Sequence, residues 1–180
     1  MKRRYIMSGG LAFSEEKDMM KLSRLSKKGW VFDRFTFMGY ILKKGEPQEL
    51  QFAIDYRSNP DEEYFELFRE AGWTHVGSQA NYIHLFTAQP GVTPIYTDRP
   101  STLEKYSNEK NFVKKGAIWS LAVTLCIALL LYLVYTLTFP DAVEAVLSVS
   151  LSVLLGLSLI SLIFTGLPYL GYVYKIYKLR

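Results

Sequence analysis

The sequence of 180 residues predicts an α+β domain followed by a two-helix transmembrane hairpin. Short runs of alternating apolar and polar residues, with two segments that carry helix start and stop signals between them, predict the α+β part. Two long apolar segments predict the hairpin. Charge separates the same two parts: residues 1–100 hold 14 Lys and Arg against 13 Asp and Glu, and residues 101–180 hold 7 against 4. The first part is long enough to bury a core of its own.

The first 44 residues predict a strand, a helix and two further strands. The strand Arg3–Met7 ends at a Ser-Gly-Gly turn. Ser14 is expected to cap a helix that runs to about Lys28, where Gly29 ends it. The predicted buried stripe of this helix is Met19, Leu22 and Leu25. Aromatic and β-branched residues from Trp30 onward then favour two strands joined by a turn.

Residues 50–87 predict the same kinds of element in the same order. Leu50–Tyr56 has the period of a half-buried strand. Asn59 is expected to cap a helix that begins with Pro60, and Gly72 is expected to end it. The expected buried side of this helix is Tyr64, Phe65, Leu67, Phe68 and Ala71. Two strands, at 73–76 and 82–87, complete the series.

The two series predict an internal repeat of two βαββ units. Lys28-Gly29-Trp30 in the first matches Ala71-Gly72-Trp73 in the second. Two such units would form one antiparallel sheet with both helices on one face, as in a ferredoxin-like fold. The alternative is that helix-Gly-Trp is simply a common way to leave a helix and bury an aromatic ring.

The two apolar segments predict membrane spans. Gly116–Phe139 contains no charged residue and is long enough to cross a hydrocarbon core, and residues 145–174 supply the return. The predicted divisions are therefore a domain at 1–92, a linker and juxtamembrane helix at 93–115, spans at 116–139 and 145–174, and a basic tail at 175–180. Small residues recur at four-residue spacing in both spans: Ser120, Thr124 and Ala128, and Ser148, Ser152 and Gly156. These stripes favour packing of the spans on each other, or formation of a homodimer.

Charge around the spans predicts their orientation. Cations lie at the outer ends of the two spans: Lys105, Lys110, Lys114, Lys115, Lys175, Lys178 and Arg180. The turn between the spans carries only Asp141 and Glu144. Because cations mark the cytoplasmic side, we expect a plasma-membrane protein with both termini in the cytoplasm. The only cysteine, Cys126, lies in the first span, so no disulfide can form within one chain, which fits a reducing compartment.

The helices of the domain carry opposite charge. The first helix has a cationic stripe, and the second is acidic. The stripe and two juxtamembrane lysines are candidate contacts with anionic lipid: Lys17, Lys21, Arg24, Lys28, Lys114 and Lys115. The alternative is that the stripe faces solvent or the acidic helix, where exposed ion pairs contribute little.

The sequence contains no recognisable catalytic motif. His75 and His84 lie on neighbouring predicted strands, but a metal site would need a third ligand, so we expect no metal, no cofactor and no enzyme. The near-neutral domain also argues against nucleic-acid binding. Aromatic residues are abundant, and most must be core, but an exposed groove for a peptide or small apolar ligand is the alternative. The candidate binding surface is Trp30, Phe35, Tyr40, Tyr56, Trp73, His75, Tyr82 and His84.

Residues 1–100 also resemble a known family. The runs YIMSGGLAFSEEKDMMKLSRLSKKGW, FMGYILKKGEPQ, IDYR, DEEYF and EAGWTH are similar to the domain-of-unknown-function family 2812 of small membrane proteins from Gram-positive bacteria. The resemblance implies paired spans and transfers no catalytic residue. Members are encoded beside PadR-type repressors, which implies a regulated response to envelope stress or antimicrobial compounds.

Three functions remain open at this point. The first is a non-enzymatic cytoplasmic sensing or interaction module that the hairpin tethers to membrane lipid and that binds a partner protein or small apolar ligand. The second is a protective hairpin that confers immunity or resistance, with the domain as its regulator. The third is an enzyme that uses His75 and His84.

Overall fold

The computed structural model describes residues 2–96 and 98–179 and divides them into two compact units. We call residues 1–105 the head and residues 106–180 the hairpin. The folded unit thus extends beyond 92, through residues that the sequence assigns to a linker. Arg180, one of the basic residues counted after the second span, lies outside the described residues, as do Met1 and Thr97.

The elements follow the predicted order of two βαββ units and two long helices. Their bounds are β1 Arg3–Met7, α1 Leu11–Ser26, β2 Trp30–Thr36, β3 Gly39–Lys44, β4 Gln51–Tyr56, α2 Glu62–Glu70, β5 Thr74–Gln79, β6 Ile83–Ala88, α3 Arg99–Thr136 and α4 Asp141–Leu179. The predicted α+β class with a two-helix hairpin is confirmed.

Each βαββ unit builds its own antiparallel sheet with the same strand order. The orders are β1-β3-β2 and β4-β6-β5, so in each sheet the third strand of the unit is central. The second strand of each unit has a bulge, at Asp33 in β2 and at Val76 in β5. Both bulges come three residues after a tryptophan, Trp30 or Trp73, that follows a left-handed glycine. The local details of the two units therefore repeat as well.

This arrangement corrects the expected single sheet with both helices on one face. The edge strands β2 and β5 lie side by side, yet the strands pair as two separate sheets. Gly77 on β5 helps to explain the close approach, because a Cβ atom there would meet the ring of Phe32. The central strand β6 is buried on both faces of sheet β4-β6-β5, with α1 on one face and α2 on the other.

The two faces of that second sheet belong to two different cores. One core joins α1 to both sheets and contains Ile6, Met19, Leu22, Phe32, Tyr40, Leu42, Phe52, Ile54 and Leu85. The other joins α2 to the opposite face and contains Phe68, Trp73, Phe86 and Ala88. Alternate residues of a strand point to opposite faces, which is why Leu85 and Phe86 of β6 enter different cores.

Both helices of the head begin at residues other than the predicted caps. Helix α1 begins at Leu11 after Gly10, and Ser14 has non-helical backbone angles inside it. In α2 the cap is Asp61, whose carboxylate accepts the amide hydrogen of Tyr64 at 3.0 Å. A carboxylate at this position satisfies a free amide and favours the helix dipole, so Asp61 replaces the predicted cap two residues earlier.

The hairpin packs along a coiled-coil seam. Residues that are buried or half-buried recur at alternating steps of four and three: Val113, Ala117, Ser120, Thr124, Ile127, Leu131 and Val134 in α3, and Ser148, Leu151, Leu155, Ser158, Leu162 and Thr165 in α4. The hydroxyl groups of Ser120 and Thr165 form a hydrogen bond between the helices at 2.7 Å. This 3.5-residue period is that of knobs-into-holes packing.

The predicted small-residue stripe of α4 is only partly in this seam. Ser148 is half-buried, but Ser152 and Gly156 are exposed, and nothing would meet a Cβ atom at Gly156. A stripe at strict four-residue spacing drifts away from a seam that alternates three and four. Packing of α4 on α3 therefore uses Leu151, Leu155 and Ser158 in place of these two residues.

Both long helices have the length and composition needed to cross a membrane. Their most apolar 18-residue windows have mean hydropathies of 2.5 for α3 and 2.4 for α4. Little or none of these windows is buried inside the protein, at 17% for α3 and 0% for α4. The large side chains that they expose fit a lipid solvent rather than water.

Candidate functional site

The structure distributes the candidate binding residues over the head. Three of them are buried and belong to the core region: Tyr40, Trp73 and His84. Four are half-buried, and one is exposed: Trp30, Phe35, Tyr56 and Tyr82, and then His75. The aromatic residues therefore serve mainly as core, and the surface they offer a ligand is smaller than predicted.

Two surface clefts adjoin some of these residues. Phe35 and Tyr40 line one of about 200 Å³. Trp73 and His75 line another of about 570 Å³, together with Arg69 of α2. The larger cleft has the size of a small-molecule site.

A hydrogen-bonded chain connects the two predicted histidines. His75 Nε2 lies 2.9 Å from Ser78 Oγ, and Ser78 Oγ lies 2.8 Å from His84 Nδ1. His84 Nε2 lies 2.9 Å from the carbonyl oxygen of Arg57. Because a carbonyl only accepts, neutral His84 carries its proton on Nε2, and Ser78 donates to its Nδ1. The chain then leaves the Ser78 oxygen to accept a hydrogen from His75.

The β5 bulge makes this chain possible. His75 and Ser78 are three residues apart, so in a regular strand their side chains would point to opposite faces. The register shift between His75 and Gly77 puts both on one face, beside His84 of the neighbouring strand. The sequence predicts the proximity of the histidines, and it does not identify Ser78, because a bulge leaves no clear signature in the residue pattern.

The surroundings of His75 disfavour its charged form. Partial burial first and the neighbouring His84 second lower the pKa of His75, while a backbone hydrogen bond to Gly77 acts in the opposite direction. The ring of Phe65 covers His75 at a centroid distance of 4.6 Å. Among residues 2–96 and 98–179, no group of three His, Cys, Asp or Glu could hold a metal ion.

A second polar cluster lies at the outer edge of β4 and surrounds a buried lysine. The ammonium of Lys105, in the first turns of α3, donates to Glu15 Oε1 at 2.5 Å and to the carbonyl oxygen of Ile54 at 2.7 Å. It also lies 5.1 Å from the ring centre of Tyr56 and 4.7 Å from that of Tyr96. Lys105 and Glu15 are both buried. A carboxylate, a carbonyl and two aromatic faces together replace the water around this cation.

Two carboxylates hold the aromatic walls of this cluster. The hydroxyl of Tyr56 donates to Glu15 Oε2 at 3.1 Å, and the hydroxyl of Tyr96 donates to Asp55. Tyr64 of α2 also donates to Asp55, at 2.8 Å. Burial first and Asp55 second raise the pKa of Tyr64 and of Tyr96, so both hydroxyls stay protonated and remain donors. The walls are thus tied to β4 and α1.

Of the residues in this cluster, only Tyr56 belongs to the predicted binding surface. Lys105 is predicted only as a cation at the outer end of the first span, and Glu15 is not singled out, because each is unremarkable in its own segment. The two residues are 90 positions apart, so only the tertiary fold brings them together.

The six predicted membrane-surface cations are all exposed. Lys17, Lys21, Arg24 and Lys28 lie on the head, and Lys114 and Lys115 lie on the hairpin. Lys21 also donates to the carbonyl oxygen of Met7 at 3.2 Å. Their exposure leaves them available to lipid headgroups or to solvent.

The fold thus defines an α+β head joined to a pair of helices that can cross a membrane. The family described as protein of unknown function (DUF2812) matches residues 14–118, more than half of the chain, and the protein belongs to this family. No curated protein and no solved structure matched the chain.

Proposed function

We propose that the protein is a non-enzymatic sensing or interaction module that its hairpin holds at the membrane. In this proposal the head binds a partner protein or small ligand, and helix α3 carries the change of state to the membrane. The regulated envelope or antimicrobial response that the resemblance implies is the proposed setting. One observation carries the proposal: Lys105 in the first turns of α3 is buried in the head, and the same unbroken helix continues to Thr136 as the first apolar segment.

The buried Lys105–Glu15 ion pair fixes the position of the start of α3. Removing one partner of such a pair leaves a buried charge and is strongly destabilising, by about 3–5 kcal/mol. The start of α3 is therefore either docked with all its contacts or undocked with none, and intermediate positions are disfavoured. A ligand that favours one of these states shifts the population of both.

The proposal includes an orientation. Cations at the outer ends of both apolar segments support a cytoplasmic head and cytoplasmic termini in the plasma membrane. Fusions of green fluorescent protein and alkaline phosphatase to each terminus test this. Fluorescence without phosphatase activity at both ends is expected, and phosphatase activity at either end would contradict it.

Cys126 offers a direct test of coupling through α3. It is the only cysteine of the chain and lies in the apolar part of α3, so one environment-sensitive fluorophore can be attached there without engineering. In full-length protein in nanodiscs, Glu15→Gln should undock Lys105 and change the emission of the label. The matched control is Glu66→Gln on the exposed side of α2, which should leave the emission unchanged.

An emission spectrum that is the same in wild type, Glu15→Gln and Glu66→Gln would argue against coupling through α3. Circular dichroism on the same samples would establish that the head of Glu15→Gln is still folded. A folded head with unchanged emission of the Cys126 label would contradict coupling through α3, which is central to the proposal.

A protective hairpin is the second proposal, and one observation favours it. Residues 106–180 form a compact unit of their own, with the Ser120–Thr165 hydrogen bond inside it. Cells that express residues 101–180 alone should then resist a membrane-active peptide as well as cells that express the full chain. Resistance that needs the head would favour the sensing module.

A further inference from the structure

The position of Lys105 identifies a ligand chemistry. We propose that Glu15, the Ile54 carbonyl, Tyr56 and Tyr96, which we call the ammonium pocket, bind the primary ammonium group of a small organic amine. Lys105 fills the pocket as an internal ligand when the amine is absent. The inference deepens the proposed function and rests on it, since displacement of Lys105 is the event that α3 would carry to the membrane.

The contacts of Lys105 select a primary amine. Two hydrogen-bond acceptors, one of them charged, lie within 2.7 Å of the ammonium nitrogen, so the pocket requires N–H donors. The two ring faces favour a cation on two further sides. A quaternary ammonium ion could use the rings but has no N–H group, and a neutral alcohol would lack the charge that Glu15 needs. A linear alkylammonium ion meets both requirements.

The walls of the pocket have anchors other than Lys105. The hydroxyls of Tyr56 and Tyr96 are bonded to Glu15 and Asp55, so the rings have fixed positions on two sides. The third wall is the Ile54 carbonyl of β4, a strand that pairs with β6 over its whole length. A preorganised site loses little conformational entropy when a ligand binds.

Lys105 can leave the pocket without breaking either βαββ unit. It comes after β6, the last strand of the head, and no strand pairing involves it. An amine must compete with it, so its apparent dissociation constant is the intrinsic value divided by the undocked fraction. A variant without the lysine side chain should therefore bind the amine more tightly than the wild type.

The experiment uses full-length protein in detergent and n-butylammonium, which reproduces the end of a lysine side chain. Lys105→Ala should lower the Tm, and n-butylammonium should raise it again in a saturable way, by on the order of 5 °C at tenfold the dissociation constant. Tetramethylammonium at equal ionic strength should have little effect. The wild type should need about tenfold or more n-butylammonium for the same occupancy.

Three variants serve as controls. Adding Glu15→Gln to Lys105→Ala should abolish the effect of n-butylammonium, since the charged acceptor is gone. Adding Tyr96→Phe, which keeps the ring, should retain most of it. Lys114→Ala, which removes an exposed lysine of α3, should behave as the wild type does.

Hydrogen exchange on the wild type provides a readout that does not depend on the stability of Lys105→Ala. n-Butylammonium, and not tetramethylammonium, should speed amide exchange in residues 103–109 by displacing Lys105. Equal effects of the two cations, an effect that survives Glu15→Gln, or unchanged exchange in a wild type whose Lys105→Ala variant does not fold would each overturn the proposal. Saturable rescue of Lys105→Ala with no response of the Cys126 label would keep the amine site and refute the coupling.

Discussion

The head and the hairpin differ in the kinds of side chain that they expose. In the head, large apolar residues such as Phe86 are buried and charged residues are exposed, except where a buried charge has fixed partners, as Lys105 does. In the hairpin, large apolar residues such as Leu125 and Leu157 are about 60% exposed, and the seam contains serine and threonine. Both units fit one rule, in which each surface matches its solvent: water for the head and, as proposed, lipid for the hairpin.

The two units therefore depend on different interactions. Burial of apolar area stabilises the head. Helices in lipid gain nothing by leaving apolar surroundings, so at the proposed membrane location the hairpin would depend on close packing and on hydrogen bonds such as that between Ser120 and Thr165. Four substitutions or conditions test this contrast, beginning with the largest expected effect.

The largest expected effect is loss of a core ring of the head. Phe86 is fully buried and stacks on Phe68 at 4.2 Å, so Phe86→Ala should lower the free energy of unfolding by about 3–5 kcal/mol. Leu157→Ala in the exposed part of α4 should change it by less than about 0.5 kcal/mol. Thermal unfolding of both variants in detergent gives the comparison. Similar losses in Tm would mean that Leu157 is buried in a contact with another protein molecule in the detergent sample.

The next effect concerns the buried charge of the head. Glu15→Gln leaves the Lys105 ammonium with neutral acceptors in a buried place and should cost about 3 kcal/mol. Glu66→Gln, in an exposed position on α2, should be close to neutral. The measurement is denaturant unfolding followed by tyrosine fluorescence. A loss below about 1 kcal/mol for Glu15→Gln would contradict the burial of this pair.

A smaller effect is expected in the hairpin seam. Removing the Ser120–Thr165 hydrogen bond should cost about 0.6 kcal/mol, the average of such bonds in membrane helices. A double-mutant cycle with Ser120→Ala and Thr165→Val measures the coupling. Ser152→Ala, outside the seam, is the control. A coupling energy near zero, or a larger loss of stability in Ser152→Ala, would contradict this seam. Either result would favour packing through the predicted small-residue stripe of α4.

The smallest effect is a pH dependence at the histidine chain. Partial burial lowers the pKa of His75 in the folded head below its ordinary value of about 6.5. As the pH falls through that value, the unfolded chain takes up a proton that the folded head does not, so stability falls. The Tm of the wild type should therefore decrease between pH 7.5 and pH 5.5, and that of His75→Gln should decrease less. An identical decrease in both would exclude His75 as the cause.

Local patterns predict the bounds of many strands and helices in the head, because interactions between neighbouring residues determine those bounds. The strand Arg3–Met7 has the bounds that its turn predicts, and the glycines Gly29 and Gly72 end their helices with positive φ angles of 74° and 85°. The buried stripe of α1 also holds for Met19 and Leu22. In α2, Leu67 is 65% exposed where the pattern predicts burial, because the helix packs through Tyr64, Phe65 and Phe68 on a single sheet face.

The candidate site depends on features that the local pattern does not show. The sequence brings His75 and His84 to neighbouring strands, and their rings are 5.9 Å apart, but a bulge adds Ser78 between them. Lys105 and Glu15 each look like ordinary surface charges when their segments are read alone. Their burial depends on contacts of the start of α3 with α1 and β4, which are distant in the sequence.

Composition and periodicity by themselves determined the class of this protein: an α+β head of two similar units and two helices apolar enough for a membrane. These features depend on neighbouring residues, which the chain displays directly. The tertiary structure alone decided that the strands form two sheets, that the helices take opposite faces of one of them, and that a lysine fills a pocket 90 residues away from its carboxylate. Those outcomes depend on contacts between distant segments, whose energies no local pattern contains.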